Sequence, residues 1–324
     1  MLISLVMCTR DRAGQLGRVL ESAAAMDIPP GLEWEMVLVD NGSSDNTREV
    51  ALSFADRLPI RYVCEPKAGL SNARNHGVAE ARGKYICWTD DDVVIDRGWL
   101  AAYAAAFARH PEAAFFGGRV EPVLEGTPPD WFTENRELLG GLLAERDLGP
   151  EPIALTPHGN LMPYGANYAV LTSVQKQLPY DPELGVSPRH KRLGEETGVL
   201  IAMVRLGLTG FWVPDSRVRH MVPHARQTLD YVRIYKISEG ETWAYTGALG
   251  DVYGQPQAGK GKHLFGAPVW LMRHSVKHRL QCALARLRGA PSRDWLTHWC
   301  WYAFYLGAAR FWRERRRSGQ ELEA

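Results

Sequence analysis

Cysteine is scarce in this 324-residue chain, and the five present, Cys8, Cys64, Cys87, Cys282 and Cys300, are odd in number with no Cys-x-x-Cys pair and no zinc-like spacing. A disulfide framework and a structural zinc module are thereby excluded, and buried free thiols in a reducing compartment are expected. A basic leader is missing too: the chain starts Met-Leu-Ile-Ser-Leu-Val-Met-Cys-Thr-Arg, too short an apolar run for a signal peptide, so a cytoplasmic location is expected. There is no internal repeat, no long low-complexity run and no recognised nucleic-acid module, so nucleic acid is not an expected partner.

What is present is an ordinary globular composition, 45% hydrophobic and 23% charged, with length enough for one large domain or one domain and an appendage. The formal charge of +1 conceals an imbalance. Residues 256–324 hold 13 Lys and Arg against 4 Asp and Glu, a net of +9, which leaves −8 for everything before them. The tail is therefore a separate electrostatic object.

Over the first 120 residues short apolar runs alternate with helical patterns. Strands are expected at Leu2 to Cys8, Met36 to Val39, Ile60 to Cys64, Tyr85 to Trp88 and Ala113 to Val120. Helices are expected over Asp11 to Met26, with Leu16, Val19, Leu20, Ala23 and Ala24 on one face, and from about Asp45, Ser71 and Arg97. This repeated βα order predicts a Rossmann-like, mostly parallel sheet flanked by helices, which binds ligands outside the carboxyl ends of its strands. Residues 121–220 are less regular, and the pattern turns helical from Thr228, with a Gly/Pro/Gln linker at Gly250 to Gly266.

The polar motifs fall at those strand ends. Trp88-Thr89-Asp90-Asp91-Asp92 puts three carboxylates after an apolar run, and their mutual repulsion points to a divalent cation and a phosphate nearby. Val37-Leu38-Val39-Asp40-Asn41-Gly42-Ser43-Ser44-Asp45 ends a buried strand in a polar turn where Ser44 or Asp45 can cap the next helix. Asp40 is placed to accept hydrogen bonds from a base or ribose. Gly69-Leu70-Ser71-Asn72-Ala73-Arg74-Asn75-His76-Gly77 offers a flexible glycine, a capping serine and an arginine in the first turns of a helix, where an anion is stabilised.

Taken in order, Cys8-Thr9-Arg10, VDNGSSDNT, GLSNARNHG and TDDD resemble the inverting, metal-dependent family 2 glycosyltransferases of GT-A fold, over about residues 1–245. The resemblance implies a GT-A domain at 1–228, split into a nucleotide-sugar half (1–120) and an acceptor half (121–228), followed by a basic, Trp-rich helical region at 229–324. It implies a nucleoside diphosphate sugar as donor, UDP-linked by family frequency, a glycan, lipid-linked or other acceptor, and Mn or Mg as cofactor. Thr9, Arg10, Asp40, Asn41, Lys67, Arg74, Asp90, Asp91 and Arg226 would face the donor. Asp92 and His220 would hold the metal. Gly165-Ala166-Asn167 resembles the acceptor loop, and Gly194-Glu195-Glu196-Thr197 the segment with the catalytic base. Glu196 is the candidate and Glu195 its alternate, since the family has Asp where this chain has Glu196. Two other readings are a non-catalytic sugar-nucleotide sensor or assembly subunit on the same fold, and a sugar nucleotidyltransferase. The latter lacks its Gly-rich loop with a basic end, which Cys8 to Gly17 does not supply.

Trp131, Tyr164 and Trp212 are candidates for stacking on an acceptor sugar, with packing the commoner role of such residues. His76 and His158 are read as structural or solvated. In the tail, Pro268 to Leu287 predicts a basic amphipathic helix with Val269, Met272, Val276, Leu280, Ala283, Leu284 and Leu287 on one face. Trp295 to Trp312 is an apolar and aromatic stretch about 27 Å long as a helix, short of a roughly 30 Å hydrocarbon core. Residues 268–317 are thus read as in-plane attachment to an anionic membrane surface, with packing on the catalytic domain, oligomer formation through these helices, and spanning as the alternatives.

Overall fold

The computed structural model describes residues 1–156, 161–249 and 261–318. His158 and residues 250–260 of the expected linker lie outside them. The chain divides into two compact units, the first made of Met1–Val123, Leu143–Arg189 and Gly194–Met221, the second of Leu124–Leu142, His190–Leu193 and Val222–Ala324. This division departs from the linear boundary expected at 228, because residues 124–142 group with the C-terminal helices.

The first unit begins β1 (Leu2–Thr9), α1 (Ala13–Ala24), β2 (Glu33–Asp40), α2 (Thr47–Leu52), β3 (Ile60–Cys64), α3 (Leu70–Glu80), β4 (Tyr85–Thr89), β5 (Val93–Ile95), α4 (Trp99–Arg109) and β6 (Phe115–Leu124). The chain then forms α5 (Asp130–Thr133), α6 (Arg136–Leu143), β7 (Ala154–Leu155), β8 (Asn167–Leu171), α7 (Thr172–Gln175), α8 (Glu195–Arg205) and β9 (Gly210–Val222). Nine strands make one mixed sheet in the order β3-β2-β1-β4-β8-β6-β9-β5, with β7 on β9. β3, β2, β1 and β4 are parallel, and β8 turns the pairing antiparallel against both β4 and β6. Helices cover both faces of this sheet, as the repeated βα order predicts.

Parallel strands covered on both sides read as unbroken apolar runs. Alternate residues then supply two cores. Ile3, Leu5, Met7, Met36, Leu38, Tyr85 and Cys87 face one, with Leu16, Leu20, Trp99 and Phe107 from α1 and α4. Val6, Val37, Val39, Ile86 and Trp88 face the other, with Ala73, Val78, Leu200 and Met203 from α3 and α8. Register aligns Thr9 with Asp40, Asp40 with Cys64, and Met7 with Thr89, so the polar motifs emerge along one edge. The cysteines are all free, yet Cys64 is exposed, so burial does not explain every thiol.

The second unit contains α9 (Leu229–Ala248), the short strands β10 (His263–Leu264) and β11 (Ala267–Pro268), α10 (Val269–Leu287) and α11 (Ser292–Ser318). α9 starts at Thr228, whose hydroxyl caps the Tyr231 N–H at 3.2 Å. α9 and α11 meet backbone to backbone: a Cβ on Gly240 would lie 2.0 Å from the Phe304 carbonyl oxygen, and one on Gly307 2.0 Å from that of Ile237. Gly240→Ala should therefore lower stability by about 3 kcal/mol, as overpacking does when a helix must move away. Gly140→Ala in α6, with nothing within 4 Å of the new methyl, should be neutral or slightly stabilising. Thermal denaturation of the two variants side by side checks this, and equal midpoints would contradict it.

Candidate active site

At the strand edge the first two loops are laced together. The Asp11 N–H donates to Ser43 Oγ (2.8 Å), Ser44 N–H donates to Asp11 Oδ1 (2.7 Å), and Ala13 N–H donates to Asp45 Oδ2 (3.1 Å). Asp45 thus serves the first turn of α1 as well as Thr47 of α2 (3.1 Å), rather than simply capping its own helix. Ser71 is not the cap of α3 either. Gly69 (φ 133°) holds that place, and Ser71 Oγ donates to the Leu184 carbonyl at 2.7 Å.

The three carboxylates are met by arginines. Arg12 Nη1 donates to Asp91 Oδ1 at 2.9 Å and to Asp92 Oδ2 at 3.0 Å, while Thr9 Oγ1 donates to Asp91 Oδ2 at 2.8 Å. Burial pushes the Asp91 carboxyl up to about 6, against the pull of Arg12. Arg74 Nη2 approaches Asp90 Oδ1 at 3.4 Å. Carboxylate repulsion is therefore offset by Arg12 and Arg74, which corrects the argument that charge balance by itself calls for a cation. Arg12 was not singled out in the sequence; Arg10, which was, is exposed and pairs with its neighbour Asp11 at 3.6 Å.

Arg74 is also the link to the glutamates. Its guanidinium is buried over Trp88 (5.3 Å), donates to Tyr168 Oη (3.0 Å), and sets Nε 3.5 Å from Glu195 Oε1. Tyr168 in turn shares a hydrogen bond with Tyr180. One side chain thus spans Asp90 and the first turn of α8, so the acidic motif and the glutamate pair share one site. Burial, then the charge of Glu196, pushes the Glu195 carboxyl up to about 8, with Arg74 opposing. Glu196 is less buried and lies against the 165–167 loop: a Cβ on Gly165 would sit 3.1 Å from Arg74 Nη2 and 3.4 Å from the Glu196 carboxyl carbon. A side chain at Gly165 would press on both groups, the Arg74 guanidinium having to give by a few tenths of an ångström.

The rest of that loop does not face an acceptor. Asn167 is fully buried, its Oδ1 accepting from Trp99 Nε1 (2.8 Å) and Tyr103 Oη (2.7 Å), its Nδ2 donating to the Arg119 and Ser216 carbonyls (both 2.9 Å). Ala166 is buried and accepts from Thr89 Oγ1 at 2.9 Å. Both expected acceptor contacts are thus corrected to scaffold, since saturated or enclosed groups have nothing left to offer a ligand.

Antiparallel pairing of β5 with β9 puts Val93 opposite His220, and so brings His220 beside Asp92. His220 Nδ1 lies 2.7 Å from the Leu143 carbonyl oxygen, which can only accept. Nδ1 therefore carries a proton, and Nε2 lies 3.8 Å from Asp92 Oδ1. One carboxylate oxygen and one imidazole nitrogen suit Mn, and Mg with water and phosphate oxygens completing the shell. Among the described residues no group of three or more His, Cys, Asp or Glu side chains forms a ready metal site, so substrate and water would have to supply the remaining ligands.

Asp40 is buried, accepting from the Ser43 N–H (2.8 Å) and from Tyr62 Oη. Asn41 spends its amide on the loop that carries Lys67: Nδ2 donates to the Glu65 and Lys67 carbonyls (both 2.9 Å), and Oδ1 accepts from Gly69 N–H (2.8 Å). Asn41 thus shapes that loop, and the Lys67 side chain is exposed at its tip. Arg226 belongs to the second unit, its guanidinium 5.9 Å from the Tyr231 ring centre. Trp212 is buried and donates to the Gly149 carbonyl at 2.9 Å; the Arg146 guanidinium lies 3.9 Å from the Tyr164 ring; Trp131 packs edge-on to Phe132 and near Trp295. His76 pairs with Glu65 at 3.2 Å.

Comparison with known proteins bears on the family and the fold. Over 109 residues the chain is 34% identical to validoxylamine A glucosyltransferase of Streptomyces hygroscopicus subsp. limoneus, covering 33% of this chain and 24% of that protein. The chain thus matches about a quarter of that relative's length. Among solved structures, the mannosyltransferase PcManGT from Pyrobaculum calidifontis in complex with GDP-Man and Mn2+ superposes with a TM-score of 0.58 at 19% identity, covering 98% of this chain and 88% of that one. S. aureus TarS 1-349 in complex with UDP gives 0.53 at 18%, covering 100% and 93%. At such identities these two likenesses concern the fold. The family model for glycosyl transferase family 2 matches residues 4–166, half of the chain, and the protein belongs to that family.

Proposed function

We propose that the protein is an inverting, metal-dependent glycosyltransferase that moves a sugar from a nucleoside diphosphate sugar, a UDP-sugar as first choice, to a hydroxyl of a glycan or lipid-linked acceptor. The observation that carries the reading is Arg74, held between Asp90 at 3.4 Å and Glu195 at 3.5 Å. Donor and acceptor chemistry need one cleft, and this residue ties together the two motifs that would serve them.

In this reading Glu196 takes the proton of the acceptor hydroxyl on one face of the sugar while the diphosphate leaves from the other. Glu195, with its carboxyl up to about 8, stays protonated at neutral pH and leaves the base role to Glu196. Asp90 is left to meet the ribose, and Asp91, tied to Thr9 and Arg12, holds the turn. A divalent cation held by Asp92 and His220 would neutralise the departing diphosphate. UDP and GDP-Man in the structural relatives support a nucleoside diphosphate sugar without choosing the base. Five unpaired cysteines, Cys64 exposed, support a reducing cytoplasmic setting.

The test is release of nucleoside diphosphate from UDP-glucose, UDP-GlcNAc and GDP-mannose with Mn present and water as a slow acceptor. UDP release from a UDP-sugar is expected. Nucleotide binding with no release would identify a sensor, and pyrophosphate formed from a nucleoside triphosphate would identify a nucleotidyltransferase.

A further inference from the structure

We infer that the outward face of α10 is a docking surface for an anionic phospholipid membrane. The inference is independent of the reaction proposed above, since it rests on the second unit alone.

α10 presents Leu271, Ser275 and Cys282 inward, with Ser275 Oγ donating to the Tyr302 carbonyl of α11 at 3.2 Å. The opposite face is apolar and open. Val276 (59% exposed), Leu280 (60%), Leu284 and Leu287 (85%) recur at helical spacing along it. An isolated exposed leucine is ordinary, whereas a row of four on one helix marks a surface that meets something else. The hairpin leading into α10 adds Leu264 and Phe265, the latter 82% exposed at a turn.

Charge selects the occupant. α10 has no acidic residue; its helical positions put Arg273 at the N-terminal end of the apolar row and Lys277 along one side, with Arg279 and Arg286 along the other, their guanidinia 5.7 and 4.3 Å from the Tyr302 and Trp295 rings of α11. Next to Leu284 an open groove of about 640 Å³ is lined by Gln281, Arg288, Arg293, Thr297 and His298 together with one carboxylate, Asp294; Arg293 is paired with Glu137 at 2.9 Å, which leaves Arg288 as the cation facing the groove's ligand space. An apolar strip between two basic borders matches an interface of acyl chains beneath anionic headgroups.

α11, by contrast, is drawn inward. Its Leu296, Cys300, Ala303, Ala308, Ala309 and Phe311 are buried, so one face of the Trp295 to Trp312 stretch is packing within this unit, while Trp301 on it stays 44% exposed. Among the described residues no helix is long and apolar enough to cross a membrane.

The experiment is flotation of the full chain with phosphatidylcholine vesicles, with and without phosphatidylglycerol, at two salt concentrations. Binding should require phosphatidylglycerol and weaken with salt. The double variant Leu280→Ser, Leu284→Ser and the double variant Arg273→Glu, Lys277→Glu should each bind at least about tenfold more weakly. Unfolding temperature should not change, because all four side chains are exposed. Absence of binding by the wild type, or binding by both variants as tight as the wild type's, overturns the inference. So does a wild-type dimer that the Leu280→Ser, Leu284→Ser variant converts to monomer, which would assign the face to a second copy of the chain.

Discussion

Glu196→Gln should lower kcat about 100- to 10,000-fold while donor KM changes little, the loss expected when a positioned base is removed and binding contacts are kept. Glu195→Gln should retain most of the activity. Glu195 is enclosed beside Arg74 with its carboxyl pushed up to about 8, so it is already neutral where the enzyme works, and glutamine reproduces that form. Stability gives an independent readout with a definite sign. A carboxyl whose pKa is raised on folding from 4.5 to about 8 contributes stability that is fully present below 4.5 and is lost as pH rises through about 8. The wild type should therefore lose stability as pH rises from 4.5 to about 8, and Glu195→Gln should flatten that decline. Denaturant unfolding across this range and steady-state kinetics of both variants decide it; an active Glu196→Gln beside an inactive Glu195→Gln would exchange the roles.

Asp92→Asn should reduce turnover at least about 100-fold and raise the metal concentration needed for half-maximal activity. Asp92 divides its two oxygens, Oδ2 to Arg12 at 3.0 Å and Oδ1 toward His220 Nε2 at 3.8 Å. Asparagine keeps the shape and removes the charge that a cation requires. His220→Gln should also raise the metal concentration needed, with a smaller effect, since it removes an imidazole nitrogen and leaves the carboxylate charge in place. Metal titrations of nucleotide release, paired with calorimetric Mn binding in the absence of donor, test both. Unaltered metal dependence in Asp92→Asn would remove this residue from the site.

The strands were legible because a sheet covered on both faces needs runs such as Leu2 to Cys8 and Ile60 to Cys64, and the polar residues that follow them can lie only at the carboxyl edge. Partners far along the chain were not legible. Asn167 reads as a loop residue, yet its hydrogen bonds come from Trp99, Tyr103, Arg119 and Ser216, which nothing in the local sequence connects to it. Ser71 reads as a helix cap, and its hydroxyl goes to Leu184 instead. The turn Thr9-Arg10-Asp11-Arg12 offers two arginines, and the choice depends on Asp11 at φ 51°, a conformation that propensity does not announce. On α10 the apolar stripe was readable, but its direction was not: α11 takes the face of Leu271, Ser275 and Cys282 and leaves the stronger stripe outside.

The regrouping of residues 124–142 with the C-terminal helices has a consequence for biogenesis. Asn135 Nδ2 donates to Ser292 Oγ at 2.9 Å, a partner 157 positions later, and Trp131 waits for Trp295. At a ribosomal rate of about 5 to 20 residues per second, roughly 8 to 30 s separate the two ends of that contact. The nascent segment around Trp131 and Phe132 therefore leaves the exit tunnel well before these neighbours exist, which gives a chaperone a long opportunity to engage it.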